Sequence, residues 1–211
     1  MRICPLCHHN NAHYFYHDKK RHFYQCPDCQ LVFADGKSHL PKQNEIERYQ
    51  DNQTKNKQLQ LANFIQTVIN QLPTNNSTVT GLNFGRHLVG KALSKLILGE
   101  IELVQYDPSQ QYERHVLQQQ YDFICCYRVF DHFKQPSIQW QLLTKLLKPN
   151  GLLIINNHLL HDLNAFAKWH NKNNLTHVSF YNLACFQYLA NLGQMQLIFA
   201  EKDLILMQKA S

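Results

Sequence analysis

Two C-x-x-C units, "CPLC" carrying Cys4 and Cys7 and "CPDC" carrying Cys26 and Cys29, stand 18 residues apart near the start of this 211-residue chain. Each unit turns two sulfurs toward one point, and two units complete a tetrahedron around zinc with bonds of about 2.3 Å. Four thiolates close the coordination shell, so the expected ion is a structural Zn2+ with no open position for catalysis. The metal also explains how so short a segment folds, since it is too small to stand on an apolar core alone. Between the knuckles, "HHNNAHYFYHDKKRHFYQ" alternates aromatic and polar residues, with Tyr14, Tyr16, Phe23 and Tyr24 suited to a short hairpin. Its five histidines find no vacancy beside four correctly spaced cysteines.

The other cysteines, Cys125, Cys126 and Cys185, lie in apolar surroundings and read as buried free thiols. An odd total of seven, behind an opening "MRICPLCHHN" that lacks the apolar stretch of a secretory signal, argues for metal binding over a disulfide framework. No apolar run approaches the roughly 18 residues needed to cross a bilayer, so the expectation is a cytoplasmic protein with no membrane segment. The formal charge of +6 is scattered along the chain rather than gathered in blocks. Within the ribbon, Arg2, Lys19, Lys20 and Arg21 stand against Asp18, Asp28 and Asp35, an excess that four thiolates around a divalent ion reverse. This is not the basic footprint of a nucleic-acid finger. Nucleic acid is therefore not the expected partner, whereas docking of a protein partner by the ribbon fits.

After the ribbon, residues 1–36, a polar stretch merges into a helix over 37–72. Leu59, Leu61, Phe64, Ile65, Val68, Ile69 and Leu72 recur at helical spacing until Pro73 stops the pattern. Residues 73–211 then alternate short apolar runs with helical stretches. Candidate strands are Val79 to Phe84, Ile101 to Tyr106, Tyr121 to Cys126 and Leu152 to Asn156; candidate helices are Val89 to Leu98 and Ile138 to Leu147. Such alternation requires crossover connections and a parallel sheet with helices on both faces. Met195 to Ala200 and Leu204 to Gln208 predict a closing antiparallel hairpin. Only 13 residues separate Asp107 from Tyr121, room for one short helix. The expected fold is α/β: a shortened, Rossmann-like, doubly wound sheet with an antiparallel C-terminal hairpin, preceded by the small zinc ribbon.

The order of these landmarks resembles the class I S-adenosylmethionine-dependent methyltransferases, in particular the bacterial subgroup with an N-terminal zinc ribbon. The likeness covers nearly the whole chain and rests on "CPLC", "YQCPDCQLVFAD", "VQYDP", "YDFICCYRVFDHFKQP", "LLKPNGLLIINN" and "FAKWHNKNNLTHVSFYN". Trp169, Thr176, His177, Phe180 and Tyr181 in the last stretch are its more particular part. It implies a methyltransferase acting on a small-molecule acceptor, sugar-like or another metabolite. S-adenosylmethionine is the implied cofactor, with Gly85, Arg86, His87 and Asp107 around it and His177, His132 and Tyr181 near the acceptor.

Each of these sites also has a plainer reading. In the turn "LNFGRHLVG" Gly85 remains, but the family's acidic and further glycine positions hold Asn83, Arg86, His87 and Val89. Either Gly85 keeps the close backbone approach while Arg86 or His87 meets the cofactor carboxylate, or side chains narrow the pocket. Asp107 ends a strand where a carboxylate can accept from both ribose hydroxyls; it can equally be the N-cap of a helix opening at "PSQQYERHV". His132 can orient or deprotonate an acceptor if Asp131 reaches it, or simply open a solvated helix, and Arg128 stands where the family often has an acid. His177 is either a base or a histidine tying a loop to the sheet. The altered turn leaves a second function open, a non-catalytic methyltransferase-like binding or scaffold protein whose ribbon docks a partner.

Overall fold

The computed structural model describes residues 2–51, 54–72, 78–109 and 114–211. In each knuckle the residue after the second cysteine takes a left-handed backbone, His8 at φ 62° and Gln30 at φ 61°, which reverses the chain. The reversals are closed by the Cys4 amide donating to His9 O at 3.0 Å and the Cys26 amide donating to Leu31 O at 2.9 Å. Between them run β1 (His13–His17) and β2 (His22–Gln25), the expected antiparallel hairpin, and β3 (Val32–Ala34) comes after the second knuckle.

The chain continues through α1 (Lys42–Asp51) to α2 (Lys55–Gln71), which Thr54 caps by accepting from the Lys57 amide. Of the apolar spacing read from sequence, Leu61, Ile65, Val68 and Ile69 face inward in α2 together with Gln58 and Ala62, whereas Leu59 is exposed, Phe64 half-buried, and Leu72 caps the helix end. The stop expected at Pro73 lies outside the described residues.

Next come β4 (Val79–Phe84), α3 (Gly90–Leu93), β5 (Ile101–Tyr106), β6 (Tyr121–Tyr127), α4 (Pro136–Leu146) and β7 (Leu147–Asn156). The last part holds β8 (Ser179–Phe180), α5 (Leu183–Leu192), β9 (Met195–Glu201) and β10 (Leu204–Lys209). Six strands form the main sheet in the order β5-β4-β6-β7-β10-β9. The first four are parallel, and β10 lies antiparallel between β7 and β9. This is the mixed α/β sheet with a closing hairpin that the sequence leads one to expect. The helix expected from Val89 to Leu98 contracts to α3: only Ala92 is buried in it and Ile97 is 77% exposed, so no apolar stripe holds further turns.

Alternation along β6 separates the two faces of the sheet. Phe123 and Cys125 join the core beneath α2 and α3, while Ile124 and Cys126 join the core beneath α4 and α5. Burial pushes both thiols of this Cys pair upward, so they act as small hydrophobes.

The ribbon does not stand apart. β3 pairs antiparallel with β8, Val32 opposite Phe180 and Phe33 opposite Ser179, giving a second sheet in the order β1-β2-β3-β8. Cys4, Leu6, Cys26, Cys29 and Leu31 continue the core under α4 and α5. Asn182, at the start of α5, donates from Nδ2 to Gln30 O at 3.1 Å. No helix among the described residues is long and apolar enough to cross a membrane.

Candidate functional site

The sulfurs of Cys4, Cys7, Cys26 and Cys29 lie within 4.8 Å of one another, with Cys4 and Cys29 at 3.5 Å and Cys7 and Cys26 at 3.3 Å. A tetrahedron with bonds of about 2.3 Å has edges of about 3.8 Å, so this donor set fits zinc. Cys185 of α5 is buried in the same core cluster as Cys4, Cys26 and Cys29, a placement its apolar sequence neighbourhood does not announce.

A cavity of about 470 Å3 opens at the carboxyl ends of β5 and β6. Asp107, Pro108 and Ser109 form one wall, Val129, His132 and Phe133 another, and Lys42, Glu45 and Ile46 of α1 cover it. An ion pair between Glu45 and Lys134 ties α1 to the rim. Asp107 is 1% exposed, and its Oδ1 accepts from the Ser109 amide at 2.9 Å and from Ser109 Oγ at 2.7 Å. One carboxylate thus both fastens the turn after β5 and lines the cavity. Just beyond this turn, residues 110–113 lie outside the described residues.

A smaller cavity of about 170 Å3 is bounded by the first turn of α2, the turn after β4, the end of β6 and the segment around His177. His132 lines both cavities and so stands at their junction. Arg86 faces the smaller cavity; Gly85 and His87 line neither. Gly85 adopts φ 143°, a backbone that suits glycine alone, and its amide donates to Tyr106 O at 2.9 Å. Polar side chains fasten the rest of the turn. Asn83 Nδ2 donates to Arg86 O at 2.9 Å, Gln58 Nε2 donates to His87 O at 2.9 Å, and Gln105 Oε1 accepts from the Leu88 amide at 2.7 Å. Among the described residues, buried His87 Nε2 makes no hydrogen bond.

The rings of His132 and His177 meet edge to face with centroids 4.7 Å apart. Asp131 approaches His177 rather than its sequence neighbour: its carboxylate is 3.7 Å from His177 Nδ1 and accepts from Asn157 Nδ2 at 3.0 Å and Asn171 Nδ2 at 2.7 Å. His177 Nδ1 also lies 3.0 Å from Asn171 O, which requires the proton on Nδ1 and leaves Nε2 as the acceptor of the neutral ring. Burial pushes both imidazoles below their ordinary value of 6.5, for His177 against the opposing pull of Asp131. Tyr181, expected near the acceptor, is instead 1% exposed between Phe130 and Phe186 and lines neither cavity. Aromatic packing outcompetes the cavity for its ring, and burial pushes its hydroxyl well up.

Arg21 of the ribbon, 2% exposed, donates from Nη1 to His177 O at 2.9 Å and Asn174 O at 3.3 Å, with its guanidinium over the Phe23 ring. No sequence signal links residues 156 positions apart. Gln105, Asn157 and Asn171 lie within stretches that carry the resemblance but were given no role there, and Gln58 lies in none of them.

An open α/β sheet with a ligand-sized cavity at the carboxyl ends of its parallel strands defines a cofactor-binding class of fold. Residues 43–191 match the family described as "Methyltransferase domain", and the chain belongs to it. The O-methyltransferase family protein from Burkholderia thailandensis superposes with a TM-score of 0.51 at 12% identity, over 72% of this chain and 57% of that one. Magnesium protoporphyrin IX methyltransferase from Synechocystis PCC 6803, solved with bound SAH, gives a TM-score of 0.45 at 13% identity, over 79% of this chain and 94% of that one. A putative O-methyltransferase from Nostoc punctiforme PCC 73102 gives 0.47 at 14% identity, over 71% and 57%. The chain thus spans a little over half the length of the first and third of these proteins. A search of curated proteins gives no match.

Proposed function

We propose that this protein transfers a methyl group from S-adenosylmethionine to a small-molecule acceptor. The observation that carries the reading is the Asp107 carboxylate at the end of β5, buried on the wall of the larger cavity in a chain of the methyltransferase family. The residues there suit the cofactor: a carboxylate for the ribose hydroxyls, and apolar Val129 and Phe133 for the adenosine. When bound, S-adenosylmethionine supplies an electrophilic sulfonium methyl. Arg86 takes the cofactor carboxylate by a charge-assisted hydrogen bond.

The acceptor enters the smaller cavity, whose imidazoles do the proton work. His177, its Nδ1 committed to Asn171 O, offers Nε2 as a base, and burial keeps that ring neutral at pH 7. His132, at the junction of the cavities, orients the acceptor. Positioning supplies much of the catalysis in such a displacement. Tyr181 supports the wall from the core. Zn2+ on Cys4, Cys7, Cys26 and Cys29 holds the ribbon, and through Arg21 the backbone of His177.

A second reading, a non-catalytic binding module whose ribbon docks a protein, draws on the Arg86 and Arg128 side chains at the smaller cavity and the fastened turn above it. Calorimetric titration of the zinc-loaded protein with S-adenosylmethionine and S-adenosylhomocysteine separates the two. Micromolar binding, weakened at least about tenfold by Asp107→Ala, is the expected result. Absence of heat at millimolar ligand would discard methyl transfer and leave the binding module.

A further inference from the structure

One turn of the chain brings a hydrogen-bond donor and a hydrogen-bond acceptor to the wall of the smaller cavity. Asn174 and His177, three residues apart, both line it. Asn174 Oδ1 lies 3.1 Å from the Thr176 amide nitrogen and 2.9 Å from Thr176 Oγ1. A backbone amide can only donate, so this end of the Asn174 side chain is its carbonyl oxygen and the other end is the NH2 group. Among the described residues, Asn174 Nδ2 donates to no protein atom. His177 is the converse case: its Nδ1 proton goes to Asn171 O at 3.0 Å, and Nε2 keeps a lone pair.

The protein holds both groups in place by itself. The Asn174 backbone carbonyl accepts from the His177 amide at 3.0 Å and from Arg21 Nη1 at 3.3 Å. The His177 ring rests edge to face against His132, with the Asp131 carboxylate 3.7 Å from Nδ1. A donor and an acceptor fixed in this way lose little freedom when a ligand meets them.

A hydroxyl group answers both. Its proton can go to Nε2, and its oxygen carries two lone pairs, one to accept from Asn174 Nδ2 and one to attack a methyl carbon. A neutral amine has a single lone pair, and a hydrogen bond from Asn174 ties up the pair that must attack. A thiol is a weak acceptor and gains little from the amide.

We infer that the methyl acceptor carries a hydroxyl group, that Asn174 donates to its oxygen, and that this oxygen is the atom methylated. The last clause rests on the methyl-transfer reading; the hydroxyl-binding pair does not. The acceptor oxygen forms its bond to the methyl carbon as the carbon–sulfur bond breaks and leaves its electron pair on sulfur. The hydroxyl proton passes to His177 Nε2, and the resulting imidazolium releases it to water. Asn174 Nδ2 steadies the oxygen while negative charge gathers there.

The test uses the full-length zinc-loaded protein, with and without S-adenosylhomocysteine, whose own binding is read by calorimetry. Phenol and aniline are titrated separately, and the Asn174 side-chain amide and the His177 ring are followed by NMR. Phenol is the hydroxyl probe because Leu61 and Tyr127 give the same cavity an apolar side. Saturable shifts of both groups are expected, with phenol bound about tenfold more tightly than aniline. Asn174→Asp keeps an oxygen for the Thr176 amide but has no N–H to offer, so it should bind phenol about tenfold more weakly with the turn intact. No saturable shift from phenol overturns the pair, and so does unchanged affinity in a folded Asn174→Asp protein. Equal affinity for phenol and aniline overturns the preference for a hydroxyl. With methyl-13C S-adenosylmethionine, label on the phenol oxygen is expected; label on another atom, or none, overturns the oxygen assignment. If phenol binds as stated and S-adenosylhomocysteine does not, the hydroxyl-binding pair stands and methyl transfer falls; the opposite result discards the pair and leaves methyl transfer in place.

Discussion

The N-terminal ribbon with its four-cysteine cluster and the cavity-bearing end of the main sheet are held together by different means. In the ribbon, four sulfurs from two short turns converge on one point, and the spacing of Cys4, Cys7, Cys26 and Cys29 suffices to bring them there. At the cavity end, Asp131, Asn157 and the pair Asn171 and His177 arrive from three stretches of chain and are joined by hydrogen bonds. The two regions meet through Arg21, which belongs to the first and holds the backbone of the second. The contrast teaches that a module built on a local cysteine cluster can brace the backbone of a site it does not line.

The largest effect that tests this contrast comes from the metal. Structural zinc contributes on the order of 10 kcal/mol to small ribbon folds, so Cys26→Ser is expected to release zinc and abolish amide protection in β1, β2 and β3. Zinc content and hydrogen exchange measure it. Protection retained in a metal-free variant would break the distinction between the regions. Arg21→Ala should cost about 3 kcal/mol, from two charge-assisted hydrogen bonds lost together, read as a lower urea midpoint with zinc still bound. The His177 resonance should move in the same variant, and a resonance left in place would show that the ribbon does not position the imidazole.

Asp131→Asn is expected to cost about 2 kcal/mol, since Asn157 and Asn171 lose a charged acceptor. Asp131 pulls the His177 value upward, so the substitution should lower it further. A histidine NMR titration in which it rises would exclude the assigned contact. The smallest effect concerns pH. His132 and His177 have folded values lowered by burial, so the unfolded chain binds protons first and stability falls as pH drops from the ordinary 6.5 toward those values. Urea midpoints between pH 7 and 5 should fall less steeply in His177→Gln than in the wild type, and equal slopes would deny His177 a share in that loss.

What the chain's own order of residues determined was local. Paired cysteines and the strands β4 and β5 were legible residue by residue, and the inward face of α2 in most of its apolar positions though not Leu59, because knuckle spacing, helical period and strand alternation act over a few neighbours. Asp107 was legible as a strand-end carboxylate for the same reason. Tertiary structure alone decided that β3 would take β8 as its partner, that Asp131 would reach His177 instead of His132, and that Tyr181 would be drawn into the core. It also decided that Gln58, Asn83 and Gln105 would fasten the turn in which glycines had given way to side chains. Partner choice between distant strands and the contents of a cavity depend on which surfaces the folded chain brings within a few ångströms, and no local period encodes that.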